Sequence, residues 1–144
     1  MSFLQSLNIS GSGLTAQKLR MDVISENIAN IDSTRTETGG PYRRKMIVLS
    51  STGDFKKMLV KNLNSSEINL GVEVTDIVED QSDFKLVYNP EHPDADENGY
   101  VSMPNVDSLK ETVDMMEAYR AYQANITALN TTKQMAVKAL EIGR

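Results

Sequence analysis

The sequence predicts an α+β fold: long N- and C-terminal helices packed as a coiled-coil-like inner layer, with a small β-rich middle region. Three observations predict it. Near the N-terminus, Leu14, Gln17, Met21, Ile24, Ile28 and Ile31 recur at alternating spacings of three and four, the spacing of one helix face. Near the C-terminus, Leu109, Val113, Met116, Ile126, Leu129, Val137 and Leu140 fall on one broad side of a helix over about residues 107–142, roughly 50 Å long at 1.5 Å per residue. Between them the period changes to two and turn-forming residues accumulate. The organisation expected is residues 1–34 as N-terminal helix, 35–104 as outer β-rich region and 105–144 as C-terminal helix. A chain of 144 residues rarely hides so long a rod inside itself. The stripes are therefore expected to pack on each other and on copies or relatives of the chain.

The first helix has a weak start. Gly11 and Gly13 each disfavour a helix interior by about 1 kcal/mol, so Ser12 is the expected cap and residues 1–12 are expected to be mobile. The alternative is that these small residues permit close helix–helix approach. Short polar residues at Asn30–Ser33 end the helix, and a polar loop follows to Gly39-Gly40-Pro41. Alternation over residues 42–49 predicts a first strand, Val72, Val74 and Val78 a second, Phe84, Leu86 and Tyr88 a third, and Tyr100–Met103 a fourth. Residues 50–69 read as loop around a short helix carrying Phe55, Met58, Leu59 and Leu63. The four strands are expected to form one small sheet or partial barrel. Asp107 or Ser108 caps the long helix, and Glu111 in its first turn complements the dipole.

Composition narrows the function classes. Fifteen basic against twenty acidic residues give a net charge of −5, which argues against nucleic-acid binding. The cluster Arg43-Arg44-Lys45 reads as a solvated strand face. The chain has no cysteine, hence no disulfide and no thiolate metal site. The residues after Met1 form no secretory signal peptide, and no run approaches the ~20 apolar residues of a membrane helix.

Asp94-Ala95-Asp96-Glu97-Asn98-Gly99 opens like a calcium-binding EF-hand loop. Asn105 stands where the closing glutamate belongs, and Pro90, Pro93 and Pro104 occupy the flanking helices, so an Asx-rich turn is the better reading. His92 is the sole histidine and sits in a polar turn. Neither a catalytic residue, a cofactor nor a metal is expected. On the last helix, Asn125 and Asn130 fall at or beside the seam; either they are buried amides that fix register and partner, or they face solvent.

Several motifs in order resemble a family. Ser12-Gly13-Leu14-Thr15-Ala16-Gln17, Asn27-Ile28-Ala29-Asn30 and Asp32-Ser33-Thr34 resemble the N-terminal signature of bacterial flagellar axial proteins, with Asn27, Ala29, Asn30 and Thr34 as motif residues. Gly40-Pro41-Tyr42-Arg43, Leu86-Val87-Tyr88-Asn89-Pro90, Asn98-Gly99-Tyr100-Val101, Met103–Asp107, Ala118–Asn125 and Ala139–Gly143 narrow the resemblance to the FlgC type of basal-body proximal-rod protein. The resemblance implies a structural subunit of the torque-transmitting rod, exported by the flagellar type III pathway and assembled in the periplasm. It implies as partners the other proximal-rod subunits, the rod–export-gate junction protein, the distal rod, surrounding ring proteins and the flagellar export apparatus. Phe3 and Leu7 have the F-x-x-x-Φ spacing of an export signal in such substrates. Met21, Ile24 and Ile28 are expected to pack against Leu109, Met116, Ile126 and Leu129 within and between subunits, with Asn27 and Asn30 capping or turning the helix end. The alternative reading is a cytoplasmic helical adaptor or export chaperone, which leaves the β insert unexplained.

Overall fold

A computed structural model describes residues 3–37, 39–52 and 71–142. Helix α1 spans Phe3–Ala29 and helix α2 spans Ser108–Ile142. Between them lie strands β1 (Lys45–Ser51), β2 (Val72–Glu79), β3 (Lys85–Tyr88) and β4 (Tyr100–Met103). The architecture is α+β, with long terminal helices and a small antiparallel β region. The expected short helix carrying Phe55, Met58, Leu59 and Leu63 lies outside the described residues. The strands do not form one sheet: β1 pairs with β2 and β3 with β4 as two separate two-stranded sheets.

The chain gathers into two compact units. The first takes in the described parts of Met1–Leu19, Val48–Asp76 and Glu117–Arg144. Here α1 runs unbroken through Ser10–Gly13, and Ser12 is not its cap. The Ser12 hydroxyl instead donates to the Ile9 carbonyl at 2.8 Å and accepts from the Val72 amide at 3.1 Å. A Cβ on Gly71 would sit 2.7 Å from that hydroxyl, and one on Gly13 would sit 3.2 Å from Asn125 Nδ2. Gly71, just before β2, and Gly13, inside α1, thus mark places where the β2 end and α2 come close to α1; at Gly13 that approach favours the missing side chain. Buried Ala16 and Ala118 are equally small.

The second unit comprises Arg20–Ile47 and Ile77–Met116. Its core is Val23 and Ile24 from α1, Tyr42, and Val101, Pro104 and Val106 around β4. The α1–α2 pairing is antiparallel: Arg20 meets Asp114 at 3.5 Å, and Asn27, further along α1, meets Glu111, earlier on α2. In the β3–β4 hairpin Lys85 faces Met103 and Tyr88 faces Tyr100. Asp107 caps α2, its Oδ1 accepting from the Leu109 amide at 2.9 Å and the Lys110 amide at 3.3 Å. Those two bonds hold the exposed Asp107 carboxyl below the usual carboxylate range.

Candidate assembly interface and the buried polar junction

The most constrained place in the second unit is polar. Asn27 and Glu111 are fully buried, and Arg44 nearly so. Asn27 Oδ1 accepts from the Tyr42 hydroxyl and the Lys45 amide, each at 2.9 Å. Its Nδ2 donates to the Lys45 carbonyl at 2.9 Å and to Glu111 Oε2 at 3.0 Å. All four hydrogen bonds open to a primary amide are made, and the donor–acceptor pattern fixes which way the amide faces. Asn27 is therefore not a cap, contrary to expectation; it sits inside the helix and holds the start of β1 against α2. Asn30 does close the helix end, donating to the Glu26 carbonyl at 2.9 Å and accepting from the Ser33 hydroxyl at 3.1 Å. Thr34 donates to Asp94 at 2.9 Å, and Ala29 is exposed at the last position of α1.

Arg44 is the counter-ion of this junction. Its Nε lies 2.6 Å from Glu111 Oε1 and its Nη2 3.2 Å from Asp114 Oδ2, with Asp80 at 3.8 Å. Its amide donates to Asn105 Oδ1 at 2.8 Å, and its carbonyl accepts from the Asp80 amide at 2.8 Å. The basic cluster is thus no solvated face. Arg43 stacks over the Phe84 ring at 4.3 Å, and Lys45 reaches Glu26 at 2.5 Å. Glu111 does more than complement a helix dipole. A buried glutamate without Arg44 would carry an uncompensated charge, a destabilisation of about 3–5 kcal/mol. Burial, with the nearby carboxylates of Glu26, Glu111 and Glu79, pushes the Tyr42 hydroxyl up to about 12. Hydrogen bonds from the Ser82 amide and hydroxyl hold Asp80 below its ordinary value.

The apolar residues singled out for assembly divide into two sets. Ile24 is buried, and Leu14, Met21, Ile28, Ile31 and Leu129 are half-buried. Leu109, Val113, Met116, Ile126, Val137 and Leu140 are exposed, Leu109 and Leu140 by more than three quarters. The reason lies in the face that α2 turns inward, which carries Glu111, Asp114, Ala118 and Asn125, small or polar residues to which an apolar-periodicity reading is blind. Phe3 and Leu7 occupy successive turns at the start of α1, Phe3 exposed and Leu7 half-buried.

The Asp94–Gly99 segment is a turn. Asp96 Oδ1 accepts from the amides of Asn98 and Tyr100 at 2.9 and 2.8 Å, and Gly99 takes a φ of +80°. His92 Nδ1 accepts from the Asp94 amide at 3.1 Å. Among the described residues no group of three or more His, Cys, Asp or Glu is placed to hold a metal ion, and no helix is long and apolar enough to cross a membrane.

Residues 7–35, which hold most of α1 and its exit turn, match the family described as flagella basal body rod protein. Residues 97–142, from the β3–β4 turn through α2, match the flagellar basal body rod FlgEFG protein C-terminal family. The class is thus a flagellar basal-body rod protein, a structural and non-catalytic component. Flagellar basal-body rod protein FlgC of Bacillus subtilis is 52% identical over the whole of both chains. The FlgC proteins of Borreliella burgdorferi and Escherichia coli O157:H7 are 44% and 43% identical, covering at least 98% of either chain. The chain belongs to the FlgC family of flagellar basal-body rod proteins.

Proposed function

We propose that this chain is a subunit of the proximal rod, passing torque from the motor outward, exported by the flagellar type III pathway and assembled in the periplasm. It assembles with other rod proteins. Its finer set of neighbours is the other proximal-rod subunits, the rod–export-gate junction protein, the distal rod and surrounding ring proteins, with Phe3 and Leu7 read by the export apparatus. The observation that carries this reading is the outward apolar surface of α2: Leu109, Val113, Met116, Ile126, Val137 and Leu140 stay exposed in the protomer. A head-to-tail interface on such a surface does not close on itself and propagates as a helical stack. In this reading residues 1–34 and 105–144 form the inner layer and 35–104 the outer region.

Quantitative mass spectrometry of purified hook–basal bodies tests the assignment. A fixed ratio to other rod proteins supports it, whereas a chain found only in the soluble cytoplasmic fraction supports the adaptor. The interface is tested by Val113→Asp in an exposed position: loss of rod assembly with an unchanged monomer fold is expected, and normal motility would sink it. Ile24→Asp is also expected to abolish assembly, but Ile24 is buried, so that variant reports on the fold of the protomer as well.

A further inference from the structure

The β3–β4 hairpin presents a second apolar surface, separate from α2. Leu86, Tyr88 and Tyr100 are 67%, 65% and 44% exposed. The register Leu86↔Ser102 and Tyr88↔Tyr100 puts all three on one face, opposite buried Val101. This platform is preorganised. The two tyrosine rings meet edge-on with centroids 5.3 Å apart, and a Cβ on Gly99 would lie 3.0 Å from Tyr88 Cε2 and 3.2 Å from Pro90 Cβ. Only glycine lets Tyr88 and Pro90 close over that turn, whose φ of +80° is itself a glycine conformation. Rigid exposed aromatics of this kind are the usual anchors of a protein interface.

The charge around the platform is one-sided. Between Asp83 and Tyr100 five acidic residues stand against the single Lys85, and the Lys85 ammonium is turned to the Val106 carbonyl at 2.6 Å. The whole chain carries a net −5, so this one hairpin holds most of its excess negative charge. Asp94 and Asp96 are engaged by Thr34 and by the turn, while Glu91 and Glu97 are exposed, each three positions along the chain from Tyr88 and Tyr100 respectively. We propose that the Leu86–Tyr88–Tyr100 face docks an apolar segment of a different protein flanked by Lys or Arg, whose cations meet Glu91 and Glu97. A second copy of this acidic chain would bring like charge to the same rim and is the disfavoured occupant. The inference rests on the rod reading and names the chemistry of one neighbour in it.

The test is photo-crosslinking in assembled basal bodies, with benzoylphenylalanine at Leu86, in a second strain at Tyr88, and at Glu73 of β2 as a control. A single adduct from the two hairpin positions is expected, its cross-linked peptide from another protein and bearing Lys or Arg beside apolar residues. Glu91→Lys/Glu97→Lys should lower its yield at least tenfold. Basal bodies that contain the chain but yield no hairpin adduct, an adduct to a second copy, or an adduct to an acidic peptide overturn the proposal. The same preparations report the chain's presence separately, so those outcomes leave the rod assignment standing.

Discussion

Asn27 of α1 and Glu111 of α2 stand 84 residues apart in the chain and 3.0 Å apart in the fold, both without solvent exposure. Because Arg44 and Tyr42 meet the same two side chains, one hydrogen-bonded cluster ties α1, the start of β1 and α2 together.

Asn27→Asp is the sharpest probe of that cluster. It replaces the Nδ2 donor by an oxygen facing Glu111 Oε2 and the Lys45 carbonyl, both acceptors. A loss of about 3–5 kcal/mol is expected from the buried unpaired charge, read from urea unfolding of the monomer; an unchanged midpoint would show the cluster to be energetically idle.

Arg44→Met alone leaves Glu111 unpaired and should destabilise by a similar about 3–5 kcal/mol. Adding Glu111→Leu should recover most of that loss, since a buried ion pair is often replaceable by apolar residues of like volume. A double variant no more stable than Arg44→Met would mean that Asn27 and Asp114 depend on the charges themselves.

Gly11 and Gly13 should answer alanine differently. A Cβ on Gly11 meets nothing within 4 Å, so Gly11→Ala should stabilise by about 0.5–1 kcal/mol through helix propensity. A Cβ on Gly13 meets Asn125 at 3.2 Å, so Gly13→Ala should forfeit that gain unless Asn125→Ala accompanies it. Thermal unfolding of the three variants distinguishes the two positions.

Tyr42 gives a pH signature at the alkaline end. Its folded value is raised, so the folded state retains a proton that the unfolded chain releases. Stability is full below about pH 10, where an unfolded tyrosine ionises, and falls as pH rises through about 12. Tyr42→Phe should flatten that decline in denaturant titrations across this window. At the acid end, Asp107 has the opposite sign. Its cap is present above the ordinary aspartate range and is lost as pH falls through its lowered folded value.

The terminal helices and the strand at Tyr100–Met103 were legible because each has a regular apolar period or flanking breakers. The start of α1 was not, because glycine propensity speaks against a helix there while the approach of Asn125 and Val72 favours small residues. The Arg44–Glu111 pair was invisible for another reason. A charged residue in a strand and one in a helix's first turn both have ordinary surface explanations, and only the long-range fold brings them together. The inward face of α2 escaped for the same cause, since Ala118 and Asn125 add nothing to an apolar count.

A helix that spends its small and polar side on its own chain and keeps Leu109, Val113 and Met116 outward leaves the protomer thermodynamically unfinished. Whatever covers those side chains binds the folded form alone, so melting temperature should climb with the supply of neighbours. A chain outside the stack is by the same linkage less stable than one within it, so assembly and folding stability rise together.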